Sequence, residues 1–330
     1  MTAVTVALDA MGGDRAPAEI CAGAVAAVAE GQLEIVLVGD EATIVRALGG
    51  SLPAGVTIRH APDVIDFDEE PAAAVRAKPE SSIAVAAGAV RDGWAQAAVS
   101  AGSTGAMLAA SLFAMRRVPG VIRPGLASVL PSAGGPLTLL DCGANSDCKP
   151  EMLVQFAHMG LCFAEDVLGV RDPTCGLLTI GEEPGKGNQL AKEAYDLLAA
   201  APNLRFIGNV EGRDLLSDRV NVIVTDGFTG NVALKTAEGT AREMAKQIRA
   251  AAKTSPLSLL GALLMRGAIR QVRTRMDPET YGGAFLLGLA GISVVAHGSS
   301  SRVAIANACR MASAGVSHDI CGHVATRLRR

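Results

Sequence analysis

Apolar residues fall along this chain in short unbroken runs: "VTVAL" (Val4–Leu8), "EIVLVG" (Glu34–Gly39), "QAAVSAG" (Gln96–Gly102) and "LTLLDCG" (Leu137–Gly143) in the first half. "GLLTIG" (Gly176–Gly181), "LRFIG" (Leu204–Gly208), "VNVIVTDG" (Val220–Gly227) and "GISVVAHG" (Gly291–Gly298) follow in the second. A strand wetted on one face alternates apolar and polar positions, so a continuous run predicts a strand covered on both faces. Helical spacing appears between the runs, over Pro17–Glu30, Thr104–Arg117, Lys149–Leu168, Gln189–Ala200 and Asn231–Ala252. That alternation predicts an α/β fold with a mostly parallel, doubly wound sheet and right-handed crossovers. A length of 330 residues allows one large or two intimate domains. No linker or low-complexity tract divides them, and the one candidate boundary, Ala133-Gly134-Gly135, is weakly marked.

The strand ends repeat one design. "LDAMGGDRAP", "SAGSTGA", "LDCGANSDCKP", "IGEEPGKGN", "TDGFTGN" and "AHGSSS" each carry Gly with Asp, Ser, Thr or Asn between a strand and a helix. Carboxyl ends of parallel strands line ligand crevices, glycine lets a backbone approach closely, and a helix start offers free N–H groups to an anion. Any single turn of this kind is equally an ordinary helix cap. Six of them in one chain predict a site for a small anionic substrate at the rim of the sheet.

Composition narrows the chemistry. The chain is 49% apolar and 19% charged, which excludes a disordered protein. A formal charge of −3 and few aromatics argue against nucleic acid as a partner. Seven cysteines without a CxxC pair, and a beginning without a secretory signal, predict reduced thiols in the cytoplasm. Walker A, GxGxxG and GxSxG patterns are absent, so the reading includes no nucleotide fingerprint, no serine elbow, no cofactor and no metal. Cys142 and Cys148 are poorly spaced for a chelate, and "HDICGH" (His318–His323) has no second ligand cluster beside it.

Taken in order, "LDAMGGDRAP", "SAGSTGA", "DCGANSDCKPEMLVQFAHMG", "IGEEPGKGN", "GNVEGRD", "TDGFTGNVALK" and "YGGAFLLGL…HGSS" closely resemble the fatty acyl-ACP:phosphate acyltransferase of bacterial phospholipid synthesis, from about Val4 to Ala308. The resemblance implies a homodimeric three-layer α/β/α enzyme, akin in fold to isocitrate and isopropylmalate dehydrogenases and to phosphotransacetylases. It implies transfer of a long acyl chain from acyl carrier protein to inorganic phosphate, with hand-off of acyl-phosphate to a membrane glycerol-3-phosphate acyltransferase. Ser103 stands where Asn is usual and Phe285 where Pro is usual. The second departure bears on an apolar wall and so on acyl-chain preference. Competing readings are a short-chain phosphotransacetylase, a decarboxylating dehydrogenase and a non-catalytic acyl or carrier scaffold.

This chemistry needs no nucleophile from the protein, because phosphate attacks; the protein must hold phosphate and stabilise developing charge. Asp226, Asn231, His297 and Lys186 are the catalytic candidates. Asp226 would orient a partner or take a proton from phosphate, or else stabilise a turn with Asn231 as cap. His297 would be general acid to the leaving thiolate, against a plain structural role. Lys186 would meet phosphate as a point charge, against a solvated loop lysine; Glu182 and Glu183 beside it would have to pair with bases. The expected binding positions are Asp9, Gly12, Gly13, Ser103, Thr104 and Gly105 in the first half. Gly143, Asn145, Lys149, Gly227, Thr229 and Gly230 complete them. For Asp9, Asp14 and Asp141, turn-forming and metal-binding readings both stand.

The segment of about 254–276 differs from its surroundings and is expected to protrude. Leu257, Leu260, Leu264, Ala268 and Val272 recur on one helical face, Leu259 and Leu263 widen it, and Arg266, Arg270 and Arg273 lie opposite. Such a helix fits an anionic membrane surface or the acidic carrier, and a buried dimer interface is the competing reading.

Overall fold

The structure, a computed structural model, describes residues 3–29, 31, 33–275 and 278–329, with the side chains of 272–275 and 278 outside that description. Eleven strands form one sheet: β1 Val4–Asp9, β2 Leu33–Gly39, β3 Val56–His60, β4 Ala97–Ser100, β5 Gly125–Ser132, β6 Gly135–Leu140, β7 Cys175–Leu178, β8 Phe206–Val210, β9 Val222–Val224, β10 Ala284–Leu287 and β11 Ile292–Val295. The helices are α1 Ala18–Val28, α2 Glu41–Ala47, α3 Pro71–Ala77, α4 Ser82–Arg91, α5 Thr104–Met115 and α6 Pro150–Asp166. They continue as α7 Gln189–Ala200, α8 Gly227–Ala251, α9 Pro256–Leu264, α10 Arg266–Arg275, α11 Arg302–Ser317 and α12 Ile320–Arg327.

Both faces of the central strands are dry, as unbroken apolar runs require. Val222 and Val224 of β9 join the core that holds Ile20, Phe156 and Ile305, while Ile223 between them joins the core that holds Met107 and Leu139. Successive side chains of a strand point to opposite faces, so helices must cover each side. Phe285 lies in the first of these cores, 1% exposed and 5.3 Å centroid to centroid from Phe163. It fills the interior of the sheet packing.

Strand order is β3-β2-β1-β4-β11-β10-β5-β6-β9-β7-β8. β3, β2, β1, β4 and β11 are mutually parallel, and so are β6, β9, β7 and β8. Between these blocks β10 pairs antiparallel with β11 and β5, and β5 antiparallel with β6. Three reversals therefore set the two parallel blocks running in opposite directions. The β5–β6 reversal is a two-residue hairpin at Ala133-Gly134, with Ser132 opposite Gly135. A single rim shared by all six turns is thereby corrected to two carboxyl edges.

Helix α8 begins at Gly227, four residues before the predicted Asn231, and buries only Gly227, Gly230 and Leu234. The amphipathic segment that follows is two helices, broken at Met265, and α9 buries no residue. At the other extremity α12 is pinned to α6: His323 Nδ1 lies 2.8 Å from Asp166 Oδ2, and Arg327 Nη1 is 2.8 Å from Glu165 Oε2. The Asp166 carboxylate raises the His323 pKa above its ordinary 6.5. A histidine raised on folding contributes stability that is complete below pH 6.5 and lost as pH climbs through the folded value. Amide exchange in α12 should therefore accelerate selectively between neutral and mildly alkaline pH, and His323→Gln should erase that pH dependence.

Candidate functional site

At the edge where β1, β4 and β11 end, Asp9 is the anchor. Its Oδ1 accepts from the N–H groups of Met11 and Gly12, both at 3.1 Å, and its Oδ2 accepts from Ser100 Oγ at 2.6 Å. Ser100 Oγ in turn accepts from Gly102 N at 3.0 Å. Burial pushes the Asp9 carboxyl up in pKa, against the lowering effect of Ser100, Ser82 and the two N–H groups. Gly12 lets two turns cross, since a Cβ there would stand 2.7 Å from Gly102 N. The β11 turn joins them, with Asp14 N donating to Gly298 O at 2.8 Å. His297 is exposed, and its Nδ1 meets Ser299 Oγ at 2.9 Å. Ser103 caps α5, Thr104 is exposed beside it, and Gly105 admits the ring of Pro71.

The opposite edge, where β6, β9 and β7 end, is built on Asp141, which is fully buried. Its Oδ1 accepts from the N–H groups of Leu126, Gly143 and Ala144 at 2.9, 3.1 and 3.0 Å. Its Oδ2 accepts from Asn145 N and Asn145 Nδ2, both at 2.8 Å. Burial raises the Asp141 pKa while these bonds hold it down. Five donors on one carboxylate make Asp141 a turn anchor, and none of its acceptor capacity is offered to a cation.

The first turn of α8 is driven into this loop. Gly227 N donates to Asn145 O at 2.7 Å, and Asp226 caps the helix by accepting from Thr229 N at 2.8 Å and Thr229 Oγ1 at 2.9 Å. The cap is thus Asp226, not Asn231. The Asn231 amide lies over Gly143 instead, 3.8 Å from where a Cβ would be, and has no hydrogen-bond partner among the described residues. Phe228 and Val232, 67% and 51% exposed, give this corner an apolar rim. Lys149, exposed, precedes the first turn of α6 on the same edge.

Lys186 stands beyond β7, its stem folded over Gly181 and its ammonium without an ion-pair partner among the described residues. Glu182 pairs with Arg213 and Arg219, both at 2.8 Å, which disposes of its repulsion for an anion. His297 and Asp226 do not meet. Their strands stand four steps apart in the sheet, about 19 Å laterally at ~4.8 Å per step, and point in opposite directions. Within one chain the Asp9, Gly12, Gly13 and His297 positions form one group, and Gly143, Asn145, Gly227, Thr229, Gly230 and Asn231 form another.

Sequence reasoning missed Ser100 as the partner of Asp9, and it missed the exposed aromatics Phe67 beside Gly298 and Phe228 on α8. An aromatic inside a glycine-rich turn is the signal that would have found Phe228. No group of three or more His, Cys, Asp or Glu side chains is arranged for a metal among the described residues.

Residues 4–323 match the family described as fatty acid synthesis protein. The phosphate acyltransferase of Thermus thermophilus is 51% identical over 323 residues, covering 98% of each chain. That of Thermobifida fusca is 49% identical over 330 residues, covering 98% of this chain and 90% of its own. In three dimensions the phosphotransacetylase of Streptococcus pyogenes superposes with a TM-score of 0.64 at 17% identity, over 96% of this chain and 94% of that one, a likeness of fold. With the α/β/α architecture and near-complete coverage in hand, the chain belongs to the family of fatty acid synthesis proteins that includes these phosphate acyltransferases, and it is an acyltransferase.

Proposed function

We propose that this enzyme transfers a long fatty acyl group from the thioester of acyl carrier protein to inorganic phosphate, giving acyl-phosphate for a membrane glycerol-3-phosphate acyltransferase. The observation that carries the reading is the corner at the start of α8. A helix N-terminus faces a glycine-lined turn, an unpartnered amide stands over it, and two exposed apolar side chains rim it. In the reaction an oxygen of the hydrogen phosphate dianion attacks the thioester carbon, the C–S bond breaks, and the departing thiolate takes up the proton that the phosphate gives up on becoming acyl-phosphate. The positive end of α8 and the Asn231 amide would stabilise the oxyanion and the phosphate charge. Asp226 is a positioning residue, because its carboxylate is spent on Thr229.

The working unit is proposed to be a cytoplasmic homodimer touching the inner face of the membrane. Leu257 and Leu264 are 79% and 81% exposed, Arg266 and Arg270 are exposed beside them, and the Val272 and Arg273 side chains lie outside the described residues. No helix among the described residues is long and apolar enough to cross a membrane, so contact would be peripheral.

Purified protein mixed with palmitoyl-ACP and phosphate should release free carrier and acyl-phosphate. Asp226→Ala should lower kcat on the order of 10²-fold, the range seen when a preorganised anion-stabilising group is lost. Asp226→Asn keeps an acceptor for Thr229 N and should recover most of that loss if the residue acts by positioning. Turnover of acetyl-CoA but not palmitoyl-ACP would replace this reading with a short-chain phosphotransacylase.

A further inference from the structure

We propose that the loop 116–124 is the docking surface for the acidic carrier, an assignment that rests on the acyl-carrier reading above. Arg116, Arg117 and Arg123 are all exposed, and none has a carboxylate within ion-pair distance among the described residues. Arg91, Arg213 and Arg302, by contrast, each hold a carboxylate at 2.7 or 2.8 Å. In a chain of net charge −3, three guanidiniums within eight residues, none ion-paired among the described residues, form a local positive patch.

The loop is hydrogen-bonded within itself, to α6 and to the Asp141 corner. Arg117 Nη1 donates to Val121 O at 3.1 Å and to Ile122 O. Gln155 of α6 accepts from Ile122 N at 2.8 Å and donates to Gly120 O at 2.9 Å. Asn145, whose own N–H is held by Asp141, donates from Nδ2 to Pro124 O at 2.8 Å. A partner seated here therefore sits beside the turn against which α8 begins.

Arg116 carries the second observation. It adopts φ 61° and ψ −174°, a region ordinarily left to glycine. Its N–H caps Leu112 O at 3.2 Å and its carbonyl accepts from Ala290 N at 3.1 Å, so the conformation is imposed from both sides. An exposed arginine has no packing reason to occupy a glycine's place. Beside it an open cavity of about 400 Å³ is lined by Leu112, Arg116, Arg117, Val118 and Val121. Exposed Phe113, with the Arg76 guanidinium 5.0 Å above its ring, and exposed Ile122 add apolar contact. Arginine forks around a few apolar side chains fit an acidic amphipathic helix, whose carboxylates take the guanidiniums while its apolar positions cover Phe113 and Ile122.

The test titrates the full-length protein with apo-ACP, which carries no acyl group to transfer, and separately measures steady-state kinetics with palmitoyl-ACP. Arg116→Glu combined with Arg123→Glu should raise both the Kd for apo-ACP and the KM for palmitoyl-ACP roughly tenfold or more, with the KM for phosphate unchanged. Wild-type binding should weaken as salt is added. Arg116→Gly, which relieves the backbone, should lose affinity without losing thermal stability, a combination that a purely structural arginine would not give. Wild-type protein that fails to bind apo-ACP, a double variant that binds it normally, or a rise in the KM for phosphate instead would each overturn the assignment. Binding of apo-ACP through this loop without turnover of palmitoyl-ACP would sustain the docking surface while removing the acyltransfer reading.

Discussion

Gly230→Ala should sharply destabilise this protein and cripple its activity. A Cβ at residue 230 would stand 1.9 Å from Asp141 O, a backbone atom, and cannot be accommodated by rotating a side chain. Neither partner can yield alone. Asp141 is held by five hydrogen bonds from Leu126, Gly143, Ala144 and Asn145. The first turn of α8 is held by the Asp226 cap and by Gly227 N on Asn145 O. Overpacking a dry, well-bonded corner costs roughly 3 kcal/mol or more, so the melting transition should fall by several degrees. The catalytic effect should exceed the stability effect, because the helix start must back away from the turn it faces. A melting curve and kcat for Gly230→Ala, beside Gly239→Ala farther along the same helix where no atom lies within 4 Å, check this directly. An unaltered Gly230→Ala enzyme would mean that α8 and the Asp141 loop are not in contact as described.

The second large effect lies on α9. Leu260→Asp together with Leu264→Asp should lower the affinity for anionic vesicles by about 10³-fold. Each leucine entering the acyl region contributes roughly 2 kcal/mol, and two of them about 4 kcal/mol. Thermal stability should not change, because the two side chains are 54% and 81% exposed and α9 has no buried residue. Vesicle sedimentation and a melting curve provide the two readings. A variant that binds vesicles as before but sediments as a lighter species would assign the same leucines to a subunit interface.

How much of this was legible in the sequence depends on whether local pattern or long-range direction decides each feature. β1, β2, β9 and β11 are unbroken apolar runs because both sheet faces are covered, and those runs are visible in the residues. β3 was hidden: "VTIRH" lies at the sheet margin and buries only Val56. β5, "GLASVLPS", carries Pro131 and two serines, and β10 has only four residues. The start of α8 was misplaced because Gly227 and Gly230 are poor helix formers, yet close packing on Asn145 and Asp141 demands them there. Individual turns around Asp9, Asp141 and Asp226 were legible as cap and turn chemistry. Their grouping was not, since it is settled by the hairpin at Ala133-Gly134 that reverses the second block. The weakly marked boundary in the sequence is that reversal.

The strand order also dictates the sequence of events during synthesis. β6, β7, β8 and β9 come from one continuous stretch, residues 135–224, and form neighbouring positions in the sheet. That block can assemble as soon as it clears the ribosome. β4 and β5 have no such freedom: the strands that lie between them, β11 and β10, are made some 150 residues later. Until residues 284–295 arrive, two strands present open hydrogen-bonding edges to the surrounding solution, the kind of edge that pairs with other chains. A nascent chain halted before residue 284 should therefore be a strong chaperone client, and completion of the last two strands should release it.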